Sequence, residues 1–499
     1  MKSEKSHLIV RSVLITAILV LINIISIRLF TRLDLTAQGV FTLAQSSKDL
    51  VAQLDDRVNV KGYFTEDLPA PYNGNRRAVL DILNEYRAYA KGNLQFEFIN
   101  PEGEKGEQEA QQQGVVPVQV QVVNEDKLEV KRGYMGLVFQ YEDRRELLPV
   151  VQNLSSLEYD ISSILKRLTS RTKKTIGFTS GHGEPELANL RQASQMLAGQ
   201  YELLPINLAE DFLQEIRVDA LIVVAPQKKF GEASLETMRN YLARGGKLAL
   251  LLNRMNANLQ SRYAQPIETG LEGLLQSHGV AVNADLVRDV QCANISVVQQ
   301  QGSFTMQTQM PFAYLPVVSN FNKDNLIVKD LSAVIFHFVS SIDTAGLSAS
   351  GSQLDVLVRS SKQSGRQGGF IMLDPFQRFT REDLGEDGIP LAVALTGGQL
   401  GTSRLVVVGD GDFMQDEFLG NRGNLTFFVN IVDYLADDAG LITIRSKNIA
   451  QPPLDQVSDG TKRLVKYGNL LLPPLMVIAY GFVRWRRRIV WKRRLESQL

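Results

Sequence analysis

The sequence predicts an α/β protein with a doubly wound parallel sheet domain, a smaller N-terminal α/β domain and one transmembrane helix at each end of the chain. Three observations support this prediction. Strongly apolar strand patterns alternate with amphipathic helix patterns in the second half, which is typical of a parallel sheet covered on both faces. Apolar runs stand near both ends, the first uncharged between residues 12 and 27 and the second with Lys466 near its outer end. The 499 residues, 44% hydrophobic and 22% charged, suit two to four globular domains between these runs.

The first apolar run carries no charge between residues 12 and 27 and is flanked by Arg11 and Arg28. With its neighbours it covers residues 10–30, close to the roughly 20 residues that cross a bilayer as a helix. The flanking arginines can extend toward the lipid headgroups. A cleaved signal peptide is the alternative. A retained anchor is favoured because neither a small-x-small cleavage site nor a lipoprotein cysteine follows the run.

The second apolar run covers residues 464–483 and contains Pro473-Pro474, which a membrane helix tolerates better than a soluble one. Seven basic residues follow it between Arg484 and Arg494. They predict a cytoplasmic C-terminus, and three basic residues before the first run predict a cytoplasmic N-terminus. The basic tail is expected to contact anionic lipid, with a cytoplasmic partner as the alternative. The bulk of the chain is then exterior, which means periplasmic if the source is Gram-negative.

The zero net charge of the chain is a sum of unlike parts. Residues 1–32 hold five basic residues and one acidic residue, and residues 462–499 hold ten basic residues and one acidic residue. Because 54 basic residues balance 54 acidic ones overall, residues 33–461 carry a net charge of −13. Nucleic acids bind basic surfaces, so an acidic exterior module disfavours nucleic acid as a partner.

These patterns divide the chain into segments and predict a two-pass membrane protein with both termini in the cytoplasm. The segments are a cytoplasmic N-terminus (1–9), transmembrane helix 1 (10–30), an N-terminal α/β exterior domain (33–170), a doubly wound α/β exterior domain (171–445), a connector (446–461), transmembrane helix 2 (464–483) and a basic cytoplasmic tail (484–499).

The N-terminal exterior domain mixes helix and strand patterns. Thr42 and Gln45 form a capping-box pattern that predicts the start of a helix. Residues 102–114 read as a polar loop or a loose helix. Strands are expected near 58–64, 94–98, 117–123, 128–132, 136–141 and 146–151, and helices near 79–86 and 157–168. This β-α-β-then-hairpin order suggests a thioredoxin-like layout, but the chain has no CxxC motif for redox chemistry.

The second exterior domain alternates apolar strands with helices. Strands are expected at 174–180, 201–207, 219–226 and 247–252 and from Arg404, and a helix is expected to start at Pro185. The sheet should begin near residue 172 and close near 440, with residues 256–400 elaborating it. Residues 299–310 and 343–353 are expected to be polar loops. In such sheets, the loops that follow the carboxyl ends of strands hold binding sites.

Two glycine-rich loops of this kind carry the candidate site. Gly181-His182-Gly183-Glu184 and Gly409-Asp410-Gly411-Asp412 each follow a predicted strand. An imidazole beside a carboxylate could bind a metal, a sugar or a proton, and the aspartates could converge with it at the sheet edge. The ligand-binding candidates are therefore His182, Glu184, Asp410 and Asp412, with Gly181, Gly183, Gly409 and Gly411 forming the turns. The favoured alternative is structural, with His182 and Asp410 bonded to loop backbones.

Several features occur together in one known family. They are Arg32-Leu33-Asp34-Leu35-Thr36, Thr42-Leu43, Glu158-Tyr159, the 181–184 loop, Gly245-Gly246, Asp374-Pro375, and Gly409–Phe413 with Asn424 and Asn430. In this order, over nearly the whole chain, the sequence resembles the GldG-like auxiliary components of bacterial ABC transport systems, first associated with gliding motility. The resemblance implies a sheet similar to class I glutamine amidotransferases, a related domain in an intraflagellar transport protein, and work beside an ABC permease and ATPase.

The sequence lacks the motifs of several enzyme classes. It has no G-x-x-x-x-G-K-[S/T] phosphate loop, so ATP hydrolysis is expected from a separate subunit. It has no G-x-S-x-G nucleophile elbow, and its one cysteine, Cys292, has no glycine-rich elbow around it. His278 and His337 stand alone and are expected to be structural. No catalytic residue, metal or cofactor is predicted.

The favoured function is a non-catalytic, membrane-anchored auxiliary subunit of an ABC transporter complex. Its exterior module would contact the permease, the cell wall or an exported polymer, and its anchors would contact the lipid bilayer. Two alternatives stay open. One is a hydrolase or amidase that uses the two glycine-rich loops, and the other is a glycan- or peptide-binding scaffold.

Overall fold

The structure of the protein is a computed structural model that describes most of the chain. The described residues are 14, 42–66, 68–70, 72–124, 127–151, 153–154, 156–170, 172–208, 218–301, 304–329, 331–346, 351–418, 422–436, 440, 442, 444 and 459–496. Apart from Leu14, the predicted transmembrane helix 1 (10–30) lies outside them. The chain divides into two compact units, residues 1–450 and residues 451–499.

The described helices and strands have the following bounds. The helices are α1 (Gln45–Ala52), α2 (Asn75–Tyr89), α3 (Gly103–Gln112), α4 (Leu157–Thr169), α5 (Arg191–Ala198), α6 (Glu232–Ala243), α7 (Glu272–Ser277), α8 (Arg422–Leu435) and α9 (Asp459–Glu496). The strands are β1 (Val58–Phe64), β2 (Leu94–Ile99), β3 (Val118–Asn124), β4 (Lys127–Gly133), β5 (Met135–Tyr141), β6 (Arg144–Leu148), β7 (Lys174–Ser180), β8 (Tyr201–Asn207), β9 (Ala220–Val224), β10 (Lys247–Leu251), β11 (Met255–Asn258), β12 (Tyr263–Pro266), β13 (Ala281–Val282), β14 (Asp285–Asp289), β15 (Cys292–Gln301), β16 (Phe304–Val318), β17 (Asn320–Phe321), β18 (Val334–Ile335), β19 (Ile342–Asp343), β20 (Gln353–Arg359), β21 (Ser364–Gly368), β22 (Ile371–Met372), β23 (Pro390–Thr396) and β24 (Arg404–Val408).

The first half is built on a four-stranded sheet in the order β2-β1-β5-β6. Strands β1 and β2 are parallel, and the other neighbours are antiparallel. Apolar residues of α1, α2 and α4, among them Val51, Leu83 and Ile161, pack into one buried cluster with the sheet. Strands β3 and β4 form a separate hairpin. The polar segment at 102–114 is a helix, α3, so the second of its two expected conformations is correct.

The start of α1 corrects one prediction. The helix begins at Gln45 with Ala44 at its N-cap, and its cap makes no side-chain hydrogen bond of its own, so the capping box of Thr42 and Gln45 is wrong. A distant carboxylate serves this end of the helix instead. Glu158 of α4 accepts a hydrogen bond from the Ala44 backbone N–H and another from the Ser47 hydroxyl, each 2.6 Å long. Local sequence pattern could not show this, because the acceptor lies 114 residues away.

The second half is built on an eight-stranded sheet in the order β17-β20-β23-β24-β10-β9-β7-β8. From β24 to β8 the neighbouring strands are parallel, whereas β17, β20 and β23 add antiparallel pairings at the other side. Both faces are covered. Ile222 of β9 packs in a cluster with residues of α5 and α8, and its neighbour Val223 packs in another with residues of α6 and α7. The α/β class is therefore confirmed, with a mixed sheet rather than a wholly parallel one.

Two local expectations in the second half are wrong. Residues 299–310, expected to be a polar loop, belong mainly to the long hairpin of β15 and β16. The backbone pairing of β15 with β16 outweighs the polarity of these residues. No α-helix starts at Pro185. A 3₁₀ turn at Leu187–Leu190 comes first, and α5 begins at Arg191.

The unit at residues 451–499 contains one described element, the 38-residue helix α9. Within the described part of the chain, its segment Arg463–Ile489 is the one helix long and apolar enough to cross a membrane, with a mean hydropathy of 1.2. The helix continues through Pro473-Pro474, and its apolar side chains are exposed, Leu464 by 74% and Val477 by 71%. This segment contains the predicted transmembrane helix 2.

The cap of α1 gives the first testable prediction. Glu158→Ala should lower the free energy of unfolding by about 2 kcal/mol, because the Ala44 N–H and the Ser47 hydroxyl lose a buried charged acceptor. Urea denaturation followed by circular dichroism measures the change. The matched control is Glu104→Ala on the exposed face of α3, which should change stability by less than about 0.5 kcal/mol. Equal stability of the two variants would contradict the proposed cap.

Candidate functional site

The first glycine-rich loop lies at the switch point of the eight-stranded sheet. The chain passes from β7 outward to β8 and then returns to β9 on the other side of β7. A crevice is expected outside the carboxyl ends of β7 and β9, and ligands of such sheets bind there. The 181–184 loop follows β7, and residues 225–230 follow β9, so both loops lie at the expected position.

The two loops bond directly to each other. Gly181 and Gly183 have φ angles of 102° and 82°, in the left-handed region that favours glycine. This turn presents the His182 carbonyl oxygen to the loop after β9. That oxygen accepts hydrogen bonds from the backbone N–H of Gln227 at 2.9 Å and of Lys228 at 2.8 Å. The backbone of His182 therefore joins the loop after β7 to the loop after β9.

The His182 and Glu184 side chains are packed inward. The imidazole ring stacks on Phe230 with a centroid distance of 3.8 Å. One Glu184 oxygen, Oε2, accepts the His182 backbone N–H at 2.6 Å. The other, Oε1, lies 3.7 Å from His182 Nδ1, beyond hydrogen-bond length, and both atoms are buried without a hydrogen-bond partner among the described residues. Chemically, Nδ1 and Oε1 each keep an unused hydrogen-bonding position.

The second glycine-rich loop is organised by Asp410, which is fully buried. Its carboxylate accepts three backbone N–H groups. Oδ2 accepts from His337 at 2.6 Å, and Oδ1 accepts from Asp412 at 2.7 Å and from Phe413 at 3.2 Å. Burial and the neighbouring Asp412 carboxylate raise the pKa of Asp410, and these three bonds oppose that rise. The geometry matches the structural alternative, in which Asp410 bonds loop backbone.

Gly409 and Gly411 allow other backbone segments to pack closely against this loop. The φ angles of Gly409 and Gly411 lie outside the left-handed region. A Cβ atom on Gly409 would overlap the Ser340 carbonyl oxygen, and one on Gly411 would lie 2.6 Å from the backbone nitrogen of Ala225. The Gly411 N–H donates to Asn253 Oδ1 at 2.7 Å. The loop after β24 thus lies directly against the segments that follow β9 and β10.

Asp412 is partly buried, and its carboxylate accepts a hydrogen bond from Gln415 Nε2 at 2.7 Å. Burial raises its pKa to about 6, with a smaller contribution from the Glu417 carboxylate, while hydrogen bonds from Asn253 and Gln415 lower it. A carboxyl group with this pKa changes charge in the physiological range, which most aspartates do not.

The structure pairs the four candidates two by two. His182 meets Glu184, and Asp410 meets Asp412 through its backbone. Among the described residues no hydrogen bond or ion pair joins one pair to the other, and β9 and β10 lie between the strands that carry them. Groups of three or more His, Cys, Asp or Glu side chains that could hold a metal ion are absent from the described residues.

Some contacts at this edge were invisible in the sequence. Phe230 covers His182, and Asn253 anchors Gly411. Asp416 accepts the backbone N–H groups of Arg191 and Gln192, the first residues of α5. These two hydrogen bonds link the loop after β24 to the helix that follows the 181–184 loop. The sequence signal for this contact is the general preference for a carboxylate near a helix N-terminus. That preference does not identify which helix Asp416 contacts.

The other histidines also pack against protein. His337 lies 4.7 Å from the Phe418 ring between centroids, and burial lowers its pKa to about 4. Burial lowers the pKa of His278 as well. Cys292 begins β15 and is half-buried, and burial raises the pKa of its thiol. These surroundings suit the structural role expected for His278 and His337.

Comparison with known proteins places this fold in a family. The family model described as "ABC-type uncharacterized transport system" matches residues 173–436, just over half of the chain. The protein belongs to this family. The match confirms the resemblance to auxiliary components of ABC transport systems, and a GldG-like member is consistent with it. Residues 37–140 match a second model, a domain of unknown function (DUF7088).

Two further similarities concern single proteins. An uncharacterized protein of Borreliella burgdorferi is 22% identical over 510 aligned residues, which cover 98% of this chain and 99% of that protein. The solved mmIFT52 N-terminal domain is 17% identical and matches 52% of this chain and 97% of its own length, with a TM-score of 0.36. That score is too low to support an argument about fold.

The family and helix α9 together indicate an accessory role in an ABC transport system and association with a membrane. The edge of the sheet within the family region holds the four candidate residues, and their role in ligand binding stays a prediction.

Asp412 gives a pH-dependent prediction. Its folded-state pKa of about 6 is higher than the ordinary value of 3.8, so the folded state binds the proton more tightly than the unfolded state. Stability should therefore fall as the pH rises from about 4 to about 6 and stay low above that. Asp412→Asn removes this loss, so the variant should be more stable than the wild type near pH 7.5 by about 2 kcal/mol.

Urea denaturation at several pH values measures this gap, which should close near pH 4. The control is the exposed Asp387→Asn, for which the gap should be near zero throughout. An Asp412→Asn variant that is less stable than the wild type near pH 7.5 would contradict the buried, protonatable state of this carboxyl group.

Proposed function

We propose that this protein is a membrane-anchored, non-catalytic auxiliary subunit of an ABC transporter complex. The observation that carries the proposal is the family match over residues 173–436 on a chain that also holds the apolar helix at Arg463–Ile489. A large α/β unit on a membrane tether suits a subunit that works beside transport machinery. ATP hydrolysis is assigned to a separate subunit, because the sequence has no phosphate loop.

The proposed topology has two passes with both termini in the cytoplasm. It rests on the charge distribution, in which the two end segments are strongly basic and residues 33–461 carry a net charge of −13. Arg484 and its basic neighbours lie within or directly after the apolar part of α9. Under this proposal the α/β unit is exterior, where it contacts the permease, the cell wall or the exported molecule.

The proposal of a non-catalytic role rests on how the candidate side chains are used. The carboxylate of Asp410 already accepts three backbone N–H groups, and the His182 ring is stacked on Phe230. A catalytic group must reach a substrate atom within hydrogen-bond distance. In both loops, a carboxylate accepts backbone N–H groups of the turn that holds it, Glu184 from His182 and Asp410 from Asp412 and Phe413.

The proposed complex predicts a specific co-purification. The full chain, tagged at its N-terminus and expressed near its native level, should recover an ABC permease and an ATPase from membranes in mild detergent, identified by mass spectrometry. The control is the same chain with Leu475, Met476 and Val477 changed to Asp, which makes the apolar segment too polar to insert. Recovery of the wild-type chain alone would overturn the proposal.

The proposed topology predicts different reagent accessibility at two positions. In a Cys292→Ser background, a cysteine is placed either at exposed Asp387 or at Arg487. A membrane-impermeant maleimide should label Asp387→Cys in cells whose outer layer is permeabilised, and Arg487→Cys only after lysis. Labelling of Arg487→Cys in unlysed cells would place the tail outside. Protection of Asp387→Cys in those cells would place the α/β unit inside.

A further inference from the structure

A small three-stranded sheet, in the order β11-β12-β22, covers part of the second half. Its inner face is apolar and buried. Met255, Ala264 and Ile371 pack there in a cluster with Phe312, Tyr314 and other residues. Since side chains alternate across a sheet, residues between these inward positions point to the outer face. That outer face is exposed.

The outer face carries a group of exposed apolar side chains. Tyr263 and Met372 are directly opposite each other on β12 and β22. Phe370 precedes β22 and stacks on Tyr263, with ring centroids 5.6 Å apart and an interplanar angle of 21°. Tyr263 is 39% exposed, Met372 is 66% exposed and Phe370 is 69% exposed. Apolar side chains grouped in this way on a surface commonly mark a binding site.

Side-chain amides lie beside these rings. Asn258 is opposite Tyr263, and Asn256 is opposite Gln265, so all three amide residues share the outer face with Tyr263. Asn258 Oδ1 accepts the backbone N–H groups of the β11–β12 turn, which leaves its amide N–H group as a donor. Strands β11, β12 and β22 contain no acidic or basic residue. The face therefore combines stacked rings with neutral hydrogen-bonding groups.

We propose that this outer face binds a glycan chain. The size of the apolar surface supports this occupant over a protein partner. Aromatic side chains carry about 150–250 Å² each, so Tyr263 and Phe370 at these exposed fractions present roughly 200 Å². A stable protein complex buries about 800 Å² on each partner, of which roughly 450 Å² is apolar. An area this small matches one or two sugar rings.

The charges of the region support the same choice. The residues of the face itself are neutral. The nearest charged residue along the chain is the exposed Arg262, which lies in the turn just before Tyr263. Residues 33–461 carry a net charge of −13, which repels polyanions such as nucleic acids. A neutral hydroxyl-rich chain meets no such repulsion. The C–H face of a sugar ring packs on Phe370 and Tyr263, and its hydroxyl groups bond the amides of Asn256, Asn258 and Gln265.

The test is titration calorimetry of the full chain in detergent with three tetrasaccharides, made of β-1,4-linked N-acetylglucosamine, β-1,4-linked glucose and α-1,4-linked glucose. At least one should bind the wild type. Phe370→Ala should weaken that binding about tenfold, and Phe370→Tyr, which keeps the ring, should restore it. The matched control is Tyr89→Ala, an aromatic residue on α2 that is 41% exposed; its affinity should equal that of the wild type.

Each result decides for or against the glycan face. Binding that Phe370→Ala weakens and Tyr89→Ala leaves intact supports it. Failure of all three sugars to bind the wild type overturns it, as does equal binding by Phe370→Ala. Loss of a co-purifying protein from Phe370→Ala, without sugar binding, assigns the face to a protein partner and also overturns it. This inference goes beyond the proposed function, because a wild-type chain that recovers permease and ATPase can still fail to bind sugar.

Discussion

The edge of the large sheet depends on one buried carboxylate. Asp410 accepts backbone N–H groups from its own loop and from His337, so it holds the end of β24 against a segment that is 73 residues away in sequence. Around it, backbone approaches backbone so closely that Gly409 and Gly411 have no room for a Cβ atom. An unpaired carboxylate in such a position would be costly. The hydrogen bonds from the three N–H groups compensate for that cost and fix the backbone conformation of the loop.

Other buried carboxylates in the molecule also accept hydrogen bonds from segments that are distant in sequence. Asp285 accepts the backbone N–H and the hydroxyl of Ser341 at 2.8 and 2.6 Å, and Asp289 does the same for Ser361 at 2.7 and 2.6 Å. Glu158 holds the start of α1 in the first half. Each acid belongs to a regular element and binds a segment distant in sequence. Buried acids of this kind fix irregular segments onto a regular framework.

The sequence could predict the regular elements of the second half but not the direction of every strand. The apolar strands and the amphipathic helices of the second half follow from periodicity, because burial on both faces leaves long apolar runs at β9, β10 and β24. The antiparallel strands of the large sheet could not be predicted from this periodicity. Strands β20 and β23 come from the segment expected only to elaborate the sheet, and strand direction depends on connections that a periodic pattern does not contain.

The candidate site shows the same limit at the level of residues. The sequence identified both loops and the structural alternative for His182 and Asp410. It treated all four glycines as turn formers, but the structure separates them. Gly181 and Gly183 have positive φ angles, whereas Gly409 and Gly411 are small because other backbone lies against them. The contacts that decide this, to Ser340 and Ala225, come from other parts of the chain.

The distribution of polar groups also bears on where function can lie in this chain. At the carboxyl edge of the large sheet, most polar groups of the two loops bond to neighbouring backbone. On the outer face of β11, β12 and β22, Tyr263 and Phe370 stack on each other in solvent, beside exposed amides. An exposed apolar side chain contributes little to stability, since most of its surface stays in contact with water. Phe370 is 69% exposed. It therefore contributes less to the stability of the fold than His182 or Asp410. A surface ring that folding does not require is better explained by binding, whereas Gly181, Gly183, Gly409 and Gly411 serve the turns and close contacts that build the sheet edge.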